Sequence, residues 1–187
     1  MAPSTTGERS AMTGRGGRED ASSRPRVVVM GVSASGKTSV AARIAEAIGA
    51  RFVDADDLHP APNVAKMAAG TPLDDDDRWP WLDAVAVTLA GDDAPVVACS
   101  ALKRSYRDRL RTAAPEVVFV HLTGSPQLLT ARATGREGHF MPPALLRSQL
   151  DILQPLEPDE AGIEIAIDAP VGEIAQTALE WMDARAR

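Results

Sequence analysis

The stretch Gly31-Val32-Ser33-Ala34-Ser35-Gly36-Lys37-Thr38 fits the pattern G-x-x-x-x-G-K-[ST]. It lies between an apolar, strand-like run at 27–30 and a segment at 37–48 whose apolar residues recur with helical spacing. Glycines let the backbone of such a loop curl so that its N–H groups point at phosphate oxygens, and the helix N-terminus adds a positive dipole end. A chance match in a chain of this length would arise on the order of 1% of the time. The stretch therefore predicts a nucleotide-binding phosphate loop.

Individual residues of this loop have predicted roles. Lys37 supplies a compact positive charge to the β and γ phosphates of ATP and counts as a catalytic residue, and the Thr38 hydroxyl is placed to ligate Mg²⁺. A methyl group at Ala34 is tolerated only where the backbone angle φ stays negative, so we expect a negative φ there. The full set expected to bind ATP is Gly31, Ser33, Ala34, Ser35, Gly36, Lys37, Thr38 and, further along the chain, Arg132.

Strand-like and helix-like segments alternate along the rest of the chain. The predicted strands are 27–30, 51–54, 96–99, 117–122 and 164–167. The predicted helices are 37–48, 62–69, 77–90, 102–111, 125–133, 142–152 and 171–184, with Pro80 in the first turn of the third and Ser125 capping the fifth. Strands that are separated by helical crossovers lie parallel in one sheet. The sequence predicts a three-layer α/β/α sandwich with a mainly parallel five-stranded sheet.

Length and composition predict one domain with an N-terminal tail. The chain has 187 residues and 44% hydrophobic content, enough for one sizeable core. Residues 1–24 have almost no large apolar side chain, so we expect a disordered tail, followed by a single domain over 25–187. Within that domain, the two glycines and irregular pattern of 134–142 predict a mobile lid.

Charge and cysteine usage exclude several classes of protein. A net charge of −6 argues against a nucleic-acid-binding face. No run approaches the roughly 20 apolar residues that span a bilayer, and the N-terminal segment lacks the apolar stretch of a secretory signal, so we expect no membrane partner. The single cysteine, Cys99, lies in an apolar run; we expect it to be a buried hydrophobe and expect a reducing compartment, the cytoplasm.

An acidic turn follows the second predicted strand, at the end where doubly wound sheets bind ligands. Asp54 and Asp56 can point into one cleft, one holding Mg²⁺ and the other accepting a proton from the attacking hydroxyl. We assign Asp54 to the metal and Asp56 to the base, although the two roles could be exchanged. Ordinary turn chemistry is the alternative, and we favour it for Asp57. His59 either contacts the substrate or is a solvated loop residue.

Basic residues follow on two further segments that could face the same cleft. Lys103, after the third strand, is a candidate for binding an anionic group of the substrate, and Arg107 lies one helical turn further on. Arg78 follows four aspartates, so it either faces the cleft or pairs with one of them. Within the predicted lid, Arg136 could close over ATP as a catalytic residue, the alternative being an ordinary exposed loop. His121 lies inside a strand and is expected to be structural.

Five blocks of the sequence together resemble the gluconate kinase (gluconokinase) family. They are residues 31–38, 54–60 (DADDLHP), 72–82 (PLDDDDRWPWL), 98–108 (ACSALKRSYRD) and 136–141 (REGHFM), within a resemblance that covers about 27–182. The resemblance implies ATP- and Mg²⁺-dependent phosphorylation of the 6-hydroxyl of D-gluconate, in a homodimer whose fold is related to shikimate and nucleoside monophosphate kinases. It also implies Lys66 and His139 as substrate-binding residues, beside Asp56, His59, Arg78, Lys103 and Arg107.

The sequence departs from the family pattern in the phosphate loop. Ala34 stands where the family usually has a third glycine, and Thr38 where many members have serine. A shikimate or adenylylsulfate kinase would share the phosphate loop, and a non-catalytic ATP-binding regulator is a further alternative. The acidic turn and the REGHFM block favour gluconate, and a regulator would need no proton acceptor.

Overall fold

The computed structural model describes residues 24–135 and 143–187. The strands are β1 (Val27–Met30), β2 (Phe52–Asp54), β3 (Val96–Ala98), β4 (Val118–Thr123) and β5 (Gly162–Ala166). The helices are α1 (Lys37–Ile48), α2 (Ala61–Ala68), α3 (Asp75–Leu89), α4 (Arg104–Ala113), α5 (Pro126–Thr134), α6 (Pro143–Ile152) and α7 (Val171–Arg185). A 3₁₀ turn, Ala55–Leu58, follows β2 directly.

The strands of the described chain form one parallel sheet in the order β2-β3-β1-β4-β5. β1 is central, because Val28 lies beside Val97 of β3 on one side and beside Phe119 of β4 on the other. The chain builds β2 and β3 on one side of β1 and then crosses over to build β4 and β5 on the other. Such a change of direction leaves a crevice at the carboxyl ends of the central strands, and the loop after β1 opens into it.

Side-chain alternation along the sheet divides the core into two apolar clusters. Val27 and Val29 of β1 pack in the cluster covered by α1, α5, α6 and α7. Val28 and Met30 point to the other face and pack with α3 and α4. Because strand side chains alternate between faces, a fully apolar strand such as β1 must be covered on both sides. The prediction of a three-layer α/β/α sandwich with five strands is confirmed.

Several element boundaries differ from the sequence prediction by one to three residues. α3 begins at Asp75 instead of 77, because Asp74 accepts a hydrogen bond from the Asp77 N–H while the Asp77 carboxylate accepts one from the Asp74 N–H. Pro80 therefore lies in the second turn of α3, not in the first. α4 begins at Arg104 instead of 102, since Lys103 still has an extended backbone.

Other local predictions are confirmed. Gly49 ends α1 in a left-handed conformation with φ of 62°, and the Ser125 hydroxyl caps α5 by accepting a hydrogen bond from the Leu128 N–H. Cys99 is fully buried, and its desolvation raises the thiol pKa to about 12, as suits a small hydrophobe. Among the helices of the described residues, none has the length and apolar character needed to cross a membrane. The predicted tail and lid fall almost entirely outside the described residues.

Candidate active site

The phosphate loop forms one wall of a cavity of about 240 Å³ at the crevice. Two of its glycines are required by geometry. Gly31 has φ of 139°, and a Cβ there would lie 2.7 Å from the carbonyl oxygen of Leu122. Gly36, directly before α1, has φ of 92°. The loop lining of the cavity comprises Ser33, Ala34, Gly36, Lys37 and Thr38.

Ala34 is the residue of this loop at which the sequence prediction is wrong. Its φ is 64°, in the left-handed region, where a negative value was expected. An L-residue in that conformation brings Cβ close to the following carbonyl, at a cost of about 1–2 kcal/mol. The curl of the phosphate loop therefore imposes backbone strain on a residue that is not glycine.

Thr38 and Asp54 place oxygen atoms together beside the loop. The Thr38 hydroxyl donates a hydrogen bond of 2.9 Å to Oδ2 of Asp54, and Oδ1 accepts one of 3.1 Å from the Asp56 N–H. Hydroxyl and carboxylate oxygens are the donors that Mg²⁺ prefers, and it commonly takes one or two protein ligands together with phosphate and water. The donor set therefore fits Mg²⁺. Residues 24–135 and 143–187 contain no group of three or more His, Cys, Asp or Glu side chains that could hold a metal ion.

Asp56 lies in the same cavity as Lys37. Its carboxylate is reached by solvent through the cavity, yet the surrounding protein partly desolvates it and raises its pKa. The positive charge of Lys37 opposes that rise, while the negative charges of Asp54 and Asp57 add to it. Lys37 also donates a hydrogen bond of 3.0 Å to the Val32 carbonyl oxygen. The structure thus brings together the expected phosphate-binding lysine and the expected general base.

His59 contributes a neutral imidazole to the cavity wall. Its ring stacks on Trp81 with centroids 4.3 Å apart and an interplanar angle of 11°. Burial, assisted by the positive charge of Arg78, lowers its pKa to about 4, so the ring is uncharged at neutral pH. Asn63 Nδ2 lies 3.3 Å from the ring Nδ1, which must be the acceptor because the amide nitrogen donates. This environment does not fit the alternative of a solvated loop histidine.

Arg78 is a buried cation that lines the cavity, with 6% of its surface exposed. Its Nε donates a hydrogen bond of 3.4 Å to the Leu73 carbonyl oxygen, and its guanidinium lies 5.8 Å from the centroid of the Tyr106 ring. In the described part of the chain no carboxylate forms an ion pair with it. The structure therefore fits the interpretation that Arg78 faces the cleft, and not the one in which it pairs with a neighbouring aspartate.

The other basic residues expected at the site lie outside the cavity lining. Lys66 is paired with Asp77 at 2.6 Å, and Lys103 with Asp75 at 2.6 Å. Arg132 donates a hydrogen bond of 2.6 Å to the Ile167 carbonyl oxygen.

Arg107 is a further correction. It is fully buried, and its Nε and Nη2 donate to the two carboxylate oxygens of Glu160 at 2.6 and 2.8 Å. The expectation that it contacts substrate does not fit this geometry, since a ligand would have to break the buried pair. Two expected site residues, Arg136 and His139, lie outside the described residues.

Comparison with known proteins places this chain in a family. A family model described as an AAA domain matches residues 27–156. The thermosensitive gluconokinase of Escherichia coli (strain K12) is 45% identical over 140 residues, which cover 73% of this chain and 75% of that protein. A gluconokinase of Gluconobacter oxydans (strain 621H) is 46% identical over 148 residues, 76% of this chain and 83% of that one. This chain belongs to the gluconokinase family.

Solved structures agree with membership of the gluconokinase family. The crystal structure of a gluconokinase from Sinorhizobium meliloti 1021 is 48% identical, covers 87% of this chain and 93% of its own, and superimposes with a TM-score of 0.82. A shikimate kinase from Aquifex aeolicus is 14% identical with a TM-score of 0.55, and that likeness concerns the fold alone. The sequence-based assignment to the gluconokinase family is confirmed.

A second wall of this gluconokinase-family cavity was missed by sequence reasoning. It is formed by α6, from which Leu145, Ser148 and Gln149 line the cavity. The spacing i, i+3, i+4 places these three on one helical face, which was the signal available in the sequence. Nothing in a neutral glutamine pointed to the site, and the contact joins residues more than a hundred positions apart. The remaining cavity-lining residues outside the predicted set are Met67, Pro72, Leu73, Ser100 and Ala133.

Proposed function

We propose that this protein transfers the terminal phosphoryl group of ATP to the 6-hydroxyl of D-gluconate, giving 6-phospho-D-gluconate. The observation that carries the proposal is one cavity lined by the phosphate loop, a carboxylate with a raised pKa and a buried arginine, in a chain of the gluconokinase family. Phosphoryl transfer needs positioning and charge stabilisation more than covalent chemistry. These three groups supply both.

The phosphate loop is proposed to hold the nucleotide. Its backbone N–H groups and the N-terminus of α1 receive the phosphate oxygens, and Lys37 neutralises the charge that develops on them. Thr38 and Asp54 are the residues that would hold Mg²⁺, which when bound neutralises phosphate charge. The hydrogen bond between their side chains keeps the two oxygen donors side by side.

Asp56 and Arg78 are proposed to act on gluconate. Asp56 accepts the proton of the attacking hydroxyl, and a pKa raised above the ordinary value makes a carboxylate a stronger base at neutral pH. The nearby positive charge of Lys37 favours the ionised form of that carboxylate and so limits the rise in its pKa. Arg78 offers a planar fork of donors that suits the carboxylate of a sugar acid. Neutral His59 can form hydrogen bonds with the hydroxyl groups of the same sugar acid.

A coupled assay of ADP formation over a panel of acceptors tests the proposal. We expect turnover with gluconate and little with shikimate, adenylylsulfate or sugars that lack a carboxylate. Lys37→Ala should abolish turnover in a folded protein, because the side chain stabilises phosphate charge and packs no core. A preference for another acceptor, or normal activity of Lys37→Ala, would contradict the proposal.

Arg78→Gln tests the acceptor side separately. It should raise KM for gluconate about 10-fold or more, as expected for a hydrogen-bonded charge pair, while the KM for ATP changes little. Arg109→Gln removes an exposed guanidinium that pairs with Asp83, and serves as the matched control with unchanged kinetics. An unchanged KM for gluconate in Arg78→Gln would remove Arg78 from the acceptor site.

We further infer, from the family resemblance alone, a homodimer that works in the cytoplasm. Light scattering should give twice the monomer mass at micromolar concentration. A monomer at every concentration would contradict the inference about assembly without affecting the proposed reaction.

A further inference from the structure

Gln149 joins helix α6 to the phosphate loop. Its side-chain Oε1 accepts a hydrogen bond of 2.7 Å from the backbone N–H of Ser33. α6 is fixed on the core by Leu145 and Leu146, which are 7% and 3% exposed. The glutamine side chain therefore extends from an anchored helix to the loop that is proposed to hold the phosphates of ATP.

The orientation of the Gln149 carboxamide is determined by this contact. A backbone N–H can only donate, so the atom that faces Ser33 must be the carbonyl oxygen and not the nitrogen. The NH₂ group then lies on the other arm of the planar carboxamide. In the described part of the chain no acceptor takes a hydrogen bond from Nε2, and Gln149 is part of the cavity lining. A pair of donors is thus held at the rim of the phosphate loop.

The charges around this donor favour an anionic oxygen as its partner. Three charged side chains line the same cavity: Lys37 and Arg78 are cations and Asp56 is an anion, so positive charge prevails there and attracts anions. A neutral NH₂ group adds donors beside them without adding positive charge that would repel Lys37. A preorganised donor aimed at an oxygen on which charge develops stabilises the transition state without reorganisation.

We propose that Gln149 binds the terminal phosphoryl group of ATP, with its Oε1 held by Ser33 and its Nε2 donating to an oxygen of that group. The proposal rests on nucleotide binding at the phosphate loop, as proposed above. It adds a neutral donor from α6 to the charged groups supplied by the loop. Gln149 would then distinguish ATP from ADP, because ADP lacks the oxygen that Nε2 contacts.

Calorimetric titration of the full chain with ADP and with a non-hydrolysable ATP analogue, each with Mg²⁺, tests the proposal without turnover. Gln149→Leu should weaken binding of the analogue about 10-fold and leave ADP binding within about twofold, because one hydrogen bond to a charged group is lost. The kcat with gluconate should fall while KM for gluconate stays close to the original value. Circular dichroism melting checks that the variant is folded.

Gln149→Glu separates the role of Oε1, which accepts from Ser33, from the role of Nε2, which is proposed to donate to phosphate. A carboxylate oxygen can still accept from the Ser33 N–H, but the other arm has lost its donors and carries negative charge. We expect at least as large a loss of analogue affinity as in Gln149→Leu. Arg147→Gln, on the exposed face of the same helix, is the matched control and should bind both nucleotides normally.

Each other outcome overturns the proposal in a recognisable way. Recovery of affinity in Gln149→Glu, or equal losses of ADP and analogue affinity in Gln149→Leu, would mean that Gln149 only holds the loop. Tighter binding of both nucleotides in Gln149→Leu would mean that it competes with phosphate for Ser33. If Gln149→Leu changes only the KM for gluconate, and raises it, then Nε2 contacts gluconate instead of ATP. Failure of the unmodified protein to bind either nucleotide would instead refute the proposed function.

Discussion

At the scale of single residues, Lys37, which is proposed to bind phosphate, acts on the pKa of the proposed base, Asp56. Desolvation raises the pKa of Asp56, and the positive charge of Lys37 opposes this rise. A base that must be ionised loses activity as pH falls through its pKa. The acidic limb of kcat/KM should therefore lie above the range of an ordinary aspartate.

The first prediction is that Asp56→Asn lowers kcat at least about 10²-fold, the typical contribution of a positioned general base. Nucleotide affinity, measured by titration, should change much less. Asp57→Asn is the matched control, because Asp57 is exposed and does not line the cavity, and it should retain normal kcat. If Asp54→Asn carries the whole loss and Asp56→Asn is silent, the roles of the two carboxylates are reversed.

The same substitution has a predicted effect on stability, with a sign fixed by the pKa. A carboxyl whose pKa is raised in the folded state stabilises the fold when protonated, and that contribution is lost as pH rises through the raised pKa. The asparagine side chain of the Asp56→Asn variant would carry no charge to desolvate. Asp56→Asn should therefore raise Tm at pH 7, and the difference should shrink as pH falls towards the ordinary aspartate range. A lower Tm at pH 7 would contradict the assigned direction of the pKa.

The second prediction concerns the strained backbone of Ala34. Ala34→Gly should raise the free energy of unfolding by up to about 1 kcal/mol, because relief of left-handed strain outweighs the added freedom of the unfolded chain. Ala42→Gly, on the exposed face of α1, is the matched control and should lower it by about 0.5–1 kcal/mol. Urea unfolding at pH 7 measures both. Equal losses in the two variants would mean that the φ of Ala34 stores no strain.

At the scale of elements, sequence patterns predicted the bounds of those strands and helices that are set by residues close together in the chain. β1 and α1 were predicted with the bounds observed, because an apolar run, two glycines and a helical repeat all lie within one short stretch. The start of α3 was placed two residues late, because a run of four aspartates offers several possible caps. The reciprocal hydrogen bonds between Asp74 and Asp77 select one of them, and composition alone does not reveal that choice.

The third prediction tests that cap. Asp74→Ala should lower the free energy of unfolding by about 1 kcal/mol, the usual cost of losing an N-cap. Asp76→Asn serves as the control, since Asp76 is exposed, caps nothing, and should change stability by about 0.5 kcal/mol or less. Denaturant unfolding followed by circular dichroism gives both values. Equal effects would mean that the negative charge of the run, and not the cap at Asp74, stabilises α3.

At the scale of the whole molecule, the cavity is assembled from segments that are distant along the chain. The phosphate loop and the acidic turn follow strands, so their meeting at one sheet edge could be predicted from topology. The wall supplied by α6 could not, because α6 is fixed by Leu146, which packs in a core cluster with residues far away along the chain. The segment that joins α6 to β5 packs against α4. That segment is held by Arg107, which also explains why an arginine expected to bind substrate is fully buried.

Arg107 connects α4 to three residues of the segment between α6 and β5. Its guanidinium pairs with Glu160 and also donates to the carbonyl oxygens of Gln154, at 3.0 Å, and Pro155, at 2.9 Å. Burial acts to raise the pKa of Glu160, but the hydrogen bonds from Arg107 and from the Glu157 N–H outweigh it and leave the pKa lowered. Glu160 is therefore a carboxylate held in its charged form inside the protein. The stability of the fold depends on the pairing of this charge with Arg107.

The fourth prediction follows from that dependence. Arg107→Met should lower the free energy of unfolding by about 3–5 kcal/mol, because it leaves the buried Glu160 carboxylate with no cation nearer than Arg104, 3.8 Å away. Arg107→Met with Glu160→Met should cost clearly less than the single change. Arg109→Gln breaks an exposed ion pair instead and should change stability far less than Arg107→Met. Urea unfolding measures all three. If the double variant is as unstable as Arg107→Met alone, the carbonyl contacts of Arg107 hold the segment after α6, and the charge of Glu160 is incidental.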